Sequence, residues 1–270
     1  MGKIVAVWSD VKKSGKSVVT YMLAKQMREM ANKDLKILVC CLNLKYSALY
    51  KLFGINVSST GLEDLVNYQF FETNKSDVIT SIVPKSEGLY FLGSYRTTNS
   101  YVQKNIEKYS RLLEELQRNF DLVIFDTVSG KENILTNVVL QKADVVLKLF
   151  VQDNDSLKEL SSVEDEQMHD AQETLYMVSK YINIYPRLSD IKRRYGLKRV
   201  FIMDYCETLQ EMKNRDSLHL YLQRETSCNN SVVVVSKHIL ETLCLMPQDR
   251  FAKERPGRYM RSLIEALQRI

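Results

Sequence analysis

A glycine, a lysine and a serine in succession, at the junction of an apolar run and a helical pattern, constrain this chain more than any other feature. Lys3 to Trp8 is a short apolar run rich in β-branched residues, and from Val18 to about Ala31 apolar positions recur at helical spacing. Strand, loop and helix follow in that order. Between them, Gly15, Lys16 and Ser17 form the second half of a phosphate-binding loop, whose backbone N–H groups at a helix N-terminus face an anion. In such a loop Lys16 reaches the β- and γ-phosphates and the Ser17 hydroxyl holds Mg²⁺. The candidate phosphate contacts are Lys13, Ser14, Gly15, Lys16, Ser17 and Val18. The first half of the loop departs from the pattern. Asp10, an anion, stands where a glycine is usual, and Lys12 and Lys13 fill the interior, where glycine would allow positive φ and close approach of backbone to ligand.

The 270 residues suffice for one large α/β domain, and no boundary divides them. With 9 Gly and 4 Pro there is no linker-like tract, no fixed-period repeat and no low-complexity segment. Five cysteines, Cys40, Cys41, Cys206, Cys228 and Cys244, include no C-x-x-C pair, a pattern that suits a reducing cytosol. No signal-peptide core is visible, nor a run of about 18 apolar residues to span a bilayer. The expectation is a cytoplasmic protein. A net charge of +5 permits weak attraction to nucleic acid or anionic lipid without requiring either.

Along the chain, Leu35 to Asn43 reads as a second strand buried on both faces, its C-terminal end being where an α/β sheet presents ligand-binding groups. Ser59 to Val66 reads as a capped helix start, with Thr60 as N-cap and Glu63 three residues later. Gly88 to Gly93 is a third strand, and an amphipathic helix runs from about Val102 to Arg118 with Ile106, Tyr109, Leu112, Leu113 and Leu116 on one face. Phe120 to Asp126 then gives four apolar residues ending in an acid, the form of a Walker B strand whose carboxylate meets Mg²⁺, usually through water. Strands follow at Ala143 to Val151, Thr174 to Ser179 and Lys198 to Met203. Between them lie helices around Ser156 to Asp170 and at Pro186 to Tyr195, with Pro near the first turn. The expected fold class is α/β, a three-layer sandwich around a doubly wound, mostly parallel sheet of about seven strands. One domain spans residues 1–270, and its part beyond about Leu209 is mainly helical.

With Asp126, Thr127 and Gly130 matching D-T-P-P-G, and the first loop resembling K-G-G-x-G-K-S/T, the chain resembles the MinD/ParA family of deviant Walker A P-loop ATPases. Within that family, Ala6 to Ser9 and Val200 to Leu209 look closest to the TadZ/CpaE pilus-localisation members. The resemblance covers nearly the whole chain and implies ATP and Mg²⁺ as cofactors, with Ser17 and Asp126 as the metal residues and Ser179 at the strand end near the adenine. It also implies a homodimer and a protein partner in a pilus or secretion apparatus. The family's signature lysine aligns with Val11, leaving Lys12 or Lys13 to serve from nearby. Its D-x-D at the second-strand end is here Cys41 and Asn43, neither able to act as a carboxylate base. The expectation is an atypical ATPase with slow or absent hydrolysis. Two alternatives stay open, a pseudo-ATPase adaptor without nucleotide and a ParA-type DNA partitioning ATPase.

Other features carry less. His169, His219 and His238 lie far apart with no partner at ligand spacing. Ile191 to Tyr195 reads as a solvated helix face, and DNA is not the expected partner. Arg258 to Ile270 places Met260, Leu263, Ile264, Leu267 and Ile270 on one stripe, which reads first as a docked helix and second as membrane contact.

Overall fold

Runs of β-branched and other apolar residues become strands buried on both faces, and the computed structural model shows where they go. It describes residues 1–45, 47–54, 61–67, 77–94, 97–160, 172–222 and 231–247. Among these residues eight strands form one sheet: β1 (Lys3–Trp8), β2 (Ile37–Cys41), β3 (Lys85–Ser86), β4 (Leu89–Gly93), β5 (Leu122–Asp126), β6 (Val145–Phe150), β7 (Glu173–Tyr181) and β8 (Val200–Asp204). Their order is β3-β4-β2-β5-β1-β6-β7-β8, parallel throughout except for the β3–β4 pair. The sequence points to about seven strands. The eighth is the two-residue β3, too short for any periodicity, turned back on β4 through Glu87 and Gly88.

Helices cover both faces. On one side α1 (Lys16–Met30) lies against β5 and buries Val19, Leu23 and Met27 with Val5, Val39 and Ile124 of the sheet. Around it are α2 (Ala48–Leu52) and, on the other side of the sheet, α3 (Leu62–Asn67) and α4 (Asp77–Ile82). The expected helix over Val102 to Arg118 is two, α5 (Asn99–Lys104) and α6 (Ile106–Asn119). Asn105 breaks it, its side-chain amide donating to the Tyr101 carbonyl at 3.0 Å, where an asparagine competes for the backbone of the preceding turn. The apolar stripe runs on regardless. Tyr109, Leu112, Leu113 and Leu116 pack with Ile4, Ala6, Val123 and Phe125.

Next come α7 (Ile134–Lys142), α8 (Asn154–Lys158) and α9 (Leu188–Tyr195), the last beginning two residues after Pro186 because Arg187 is extended and Asp190 accepts from its N–H at 3.1 Å. Beyond β8 the described residues form α10 (Glu207–Asn214), α11 (Leu218–Leu222) and α12 (Val233–Thr242), with α12 packed on α1. The Thr60 cap, most of the 156–170 helix and the stripe at 258–270 lie outside the described residues. No described helix is long and apolar enough to cross a membrane.

The order places β1 at the centre, between β5 and β6, so the loop after it opens at the carboxyl edge where helices lie on both faces. Leu116 is fully buried between α6 and the sheet. Leu116→Ala should cost about 2–5 kcal/mol in urea unfolding, whereas Arg111→Ala on the exposed face of the same helix should stay within about 0.5 kcal/mol. Equal losses would place α6 differently.

Candidate phosphate-binding site

The loop leaves β1 at Ser9, which is fully buried and accepts from the Val11 N–H at 3.3 Å. Two residues then enter the left-handed region, Lys13 at φ 62 and Gly15 at φ 86, the second being the N-cap of α1. A lysine resists that conformation by about 1–2 kcal/mol, yet Lys13 adopts it. The neighbouring strand end holds it there: Lys180 Nζ donates to the Lys13 carbonyl at 2.9 Å, and the Ser179 hydroxyl lies 2.6 Å from the Ser14 carbonyl. Ser179 thus meets the loop itself. Lys180, also at positive φ, is the bulge that aims both groups inward.

Asp10 does not face the loop's interior. Its carboxylate lies 3.3 Å from Nζ of Lys148, a β6 lysine with only 2% of its side chain exposed, which also sits 5.1 Å from the Trp8 ring centroid. Burial pushes the Asp10 carboxyl up, with Lys148 opposing it. Trp8 in turn donates from Nε1 to the Gly130 carbonyl at 3.2 Å, and the Gly130 N–H donates to Ser9 at 3.0 Å. The anion at the usual glycine position is therefore turned away, onto a lysine of β6, the strand that flanks β1 in the sheet. A single lysine inside the apolar run Val145 to Phe150 was the available signal, since a buried cation calls for a partner.

On the other side of the loop the two phosphate-side motifs meet. The Ser17 hydroxyl donates to Asp126 Oδ2 at 2.7 Å, and Lys16 Nζ donates to the Ser129 hydroxyl. Cys41 stands at the end of β2 with Sγ 3.7 Å from the same carboxylate oxygen. Asp126 is almost wholly buried, and burial raises its carboxyl to about 6 against the opposing pull of Ser17 and Lys16. Burial lowers the Lys16 ammonium, with Asp126 raising it, and pushes the Cys41 thiol up to about 12, so Cys41 stays neutral. Oδ1 of Asp126 is buried without a hydrogen-bond partner among the described residues. An orphaned carboxylate oxygen beside a serine hydroxyl suits Mg²⁺, which takes one or two protein oxygens and fills the rest of its shell with water and phosphate. Among the described residues no group of three His, Cys, Asp or Glu side chains could hold a metal alone.

A cleft of about 730 Å³ opens on the α1 side, lined by the loop from Lys13 to Val18, by Ser47 and α2, by Ser94 after β4 and by the turn between α10 and α11. Its size is that of a small-molecule site. Lys51 and Asp216 form an ion pair from its two walls. Asn43, Lys12 and Ser179 do not line it; the Asn43 amide oxygen accepts from the Lys45 N–H at 3.1 Å in a local turn. Ser94, Ser129, Lys148 and Lys180 complete the surroundings and carry no motif that sequence could reveal, apart from the buried lysine.

No family model and no curated protein matches the sequence. Solved structures do share the fold. A ParA family ATPase from Chlorobium tepidum TLS superimposes with a TM-score of 0.73 at 15% identity, covering 88% of this chain and 98% of that one. The MinD of the MinC:MinD cell division complex of Aquifex aeolicus gives 0.68 at 14% identity, covering 95% and 98%, and the cell division ATPase MinD of Pyrococcus furiosus gives 0.65 at 15%, covering 89% and 99%. The α/β architecture is therefore that of the MinD/ParA P-loop proteins.

The buried carboxyl makes stability depend on pH. Between 3.8 and about 6 the folded chain holds a proton on Asp126 that the unfolded chain has released, so this contribution is complete below pH 3.8 and is lost as the pH rises through about 6. At about 1.4 kcal/mol per pH unit the loss reaches about 3 kcal/mol. Asp126→Asn does not titrate and should escape it, gaining about that much on the unmodified chain between pH 4 and pH 7 in urea unfolding. Parallel pH profiles for the two proteins would refute the assignment.

Proposed function

We propose that this chain is an atypical MinD/ParA-type P-loop protein that binds Mg-ATP along the loop from Lys13 to Val18 and forms a homodimer when nucleotide is bound. Its work is to place a partner assembly, a pilus or secretion apparatus, within the cytoplasm or at its boundary. Hydrolysis is slow or absent. The observation that carries the reading is the Ser17–Asp126 hydrogen bond, which joins the first-loop serine to the Walker B carboxylate with Lys16 beside them. Those three groups are what a triphosphate and its metal require at one place. Support for a protein partner comes from the Aquifex neighbour, solved with MinC, and for the nucleotide from a Cyanothece McdA variant solved with ATP, at 15% identity and a TM-score of 0.65.

In this reading Lys16 leaves Ser129 for the β/γ-phosphates, Ser17 and Asp126 turn their oxygens to Mg²⁺, and the backbone N–H groups at the start of α1 meet phosphate oxygens. Mg²⁺ held by Ser17 and Asp126 would supply neutralisation of the phosphate charge. Ser179 and Lys180 keep the loop in its left-handed turn. Among the described residues, no carboxylate stands at the end of β2 to orient the attacking water. Cys41 is held neutral and Asn43 is engaged in its own turn, and losing one such catalytic group costs about 10²–10⁴ in rate.

Calorimetric titration with Mg-ATP tests the reading. Saturable binding should vanish in Lys16→Ala, and the absence of heat at millimolar nucleotide in the unmodified chain would leave a nucleotide-free adaptor. Ser17→Ala should weaken Mg-ATP more than it weakens ATP in chelator; equal weakening would make Ser17 a helix-start residue only. For turnover, Asn43→Asp keeps the local turn and should raise hydrolysis. If the unmodified chain already hydrolyses ATP as fast as this variant, the missing carboxylate is not the limitation.

A further inference from the structure

The turn that leaves β7 carries three large apolar side chains into solvent. Ile182 is 46% exposed, Ile184 56% and Tyr185 80%, so half of the six exposed large apolar residues among those described stand within four positions of one another. A loop tip usually carries polar residues, and a cluster of exposed apolar ones marks a contact surface.

The tip is built, since one side chain from the next strand end holds it. Gln152, just past β6, accepts from the Ile182 N–H at 3.1 Å and donates from Nε2 to the carbonyls of Ile184 at 2.9 Å and Pro186 at 2.7 Å. The Ile184 N–H donates to the Ile182 carbonyl at 2.7 Å. Both polar backbone groups of Ile182 and of Ile184 are thereby satisfied inside the protein, and these two residues can enter an apolar medium without stranding a backbone donor or acceptor.

Charge selects what the tip meets. From Lys180 to Arg199 the sequence holds seven Lys or Arg and a single acid, Asp190, so this stretch alone is more positive than the chain's net +5. Asp190 is already engaged, by the Arg187 N–H and by Arg193. Arg193 and Arg194 of α9 share with Tyr185 and Pro186 the wall of a cavity of about 110 Å³, which puts two exposed arginines beside the tip. Lys180 lies two residues before Ile182, with Lys13 and Lys213 near enough to act on it. Tyr205 also neighbours the turn, its N–H donating to the Tyr181 carbonyl at 2.9 Å, but Asp204 and Glu207 flank it in sequence and set it apart from the basic side.

We propose that Ile182, Ile184 and Tyr185, with Arg193 and Arg194 beside them, form a contact surface for a bilayer that contains anionic phospholipid. The two isoleucines and the tyrosine ring enter the headgroup layer, where a ring with an apolar body and a polar tip is well placed, and the arginines meet lipid phosphates and carboxylates. A bilayer suits this tip better than a protein does, because a stable protein interface needs about 800 Å² per partner with matched shape. Three side chains and a cavity this small offer neither, whereas a lipid surface adapts to the tip and is attracted by every cation around it. The surface is separate from the phosphate-binding loop and does not rest on nucleotide binding.

Co-sedimentation of the full chain with vesicles, without nucleotide, tests the proposal. Phosphatidylcholine vesicles containing phosphatidylglycerol should bind the protein, less as salt rises, and pure phosphatidylcholine vesicles should bind it far less. Ile184→Ser combined with Tyr185→Ser, both on exposed side chains, should leave the urea midpoint unchanged and weaken vesicle binding about tenfold or more. Arg193→Gln with Arg194→Gln should weaken it about tenfold and flatten the salt dependence. Tyr185→Trp adds a reporter at the tip, since the natural tryptophan, Trp8, is buried, and its emission should move to the blue on anionic vesicles. Absence of binding to either vesicle overturns the proposal, as does binding that the Ile184→Ser, Tyr185→Ser variant keeps in full. Duplex DNA bound in place of vesicles, and lost only in the arginine variant, would make this a nucleic-acid face and overturn it equally. Failure to bind ATP leaves it standing.

Discussion

The site depends on parity in a parallel sheet. Val7 of β1 pairs with Asp126 of β5, and Cys41 of β2 pairs with Asp126 from the other side. Along β5, Leu122 and Ile124 face α1 while Val123 and Phe125 face α6, so Asp126 points to the α1 side and meets Ser17 in that helix's first turn. A slip of one residue in the pairing would turn the carboxylate to the opposite face. The apolar residues on both faces forbid that slip, because each would be moved to the wrong core. Packing far from the loop thereby fixes a 2.7 Å hydrogen bond within it.

The chemistry around Asp126 then follows from what stands beside it. A second carboxylate at the end of β2 would face Asp126 across a distance at which like charges in a buried site drive one of them to protonate. Cys41 removes that repulsion and offers an S–H instead. The pair at this strand end, Cys41 and Asn43, is neutral and orients nothing by charge. The loop shows the same exchange of one device for another: where glycines would let the backbone turn freely, Lys13 is held in the turn by Ser179 and Lys180 acting on its flanking carbonyls.

Much of this was legible in the chain. Buried parallel strands announce themselves as continuous apolar runs, and β1, β2, β4, β5 and β6 lie where those runs are. The stripe of Tyr109, Leu112, Leu113 and Leu116 shows a face but not a backbone, and so it hid the break at Asn105. The pairing of Ser17 with Asp126 was legible because both belong to motifs whose chemistry requires them together. The role of Asp10 was not legible for the opposite reason: its partner is Lys148, and nothing local links a loop aspartate to a lysine in a strand that pairs with β1 only after folding. Ser94 left no mark at all, because an isolated serine after a strand is ordinary until the fold shows it fully buried, with no hydrogen-bond partner among the described residues.

The two ion pairs near the cleft sit in different media. Lys148 and Asp10 are enclosed beneath Trp8, whereas Lys51 and Asp216 are about two-thirds exposed at the mouth. Mobile ions screen exposed charges over roughly 8 Å at physiological ionic strength and reach enclosed ones poorly. Raising salt therefore loosens the rim of the cleft and leaves the pair behind the loop in place, which makes ionic strength a control on access to the site but not on the seat of its loop.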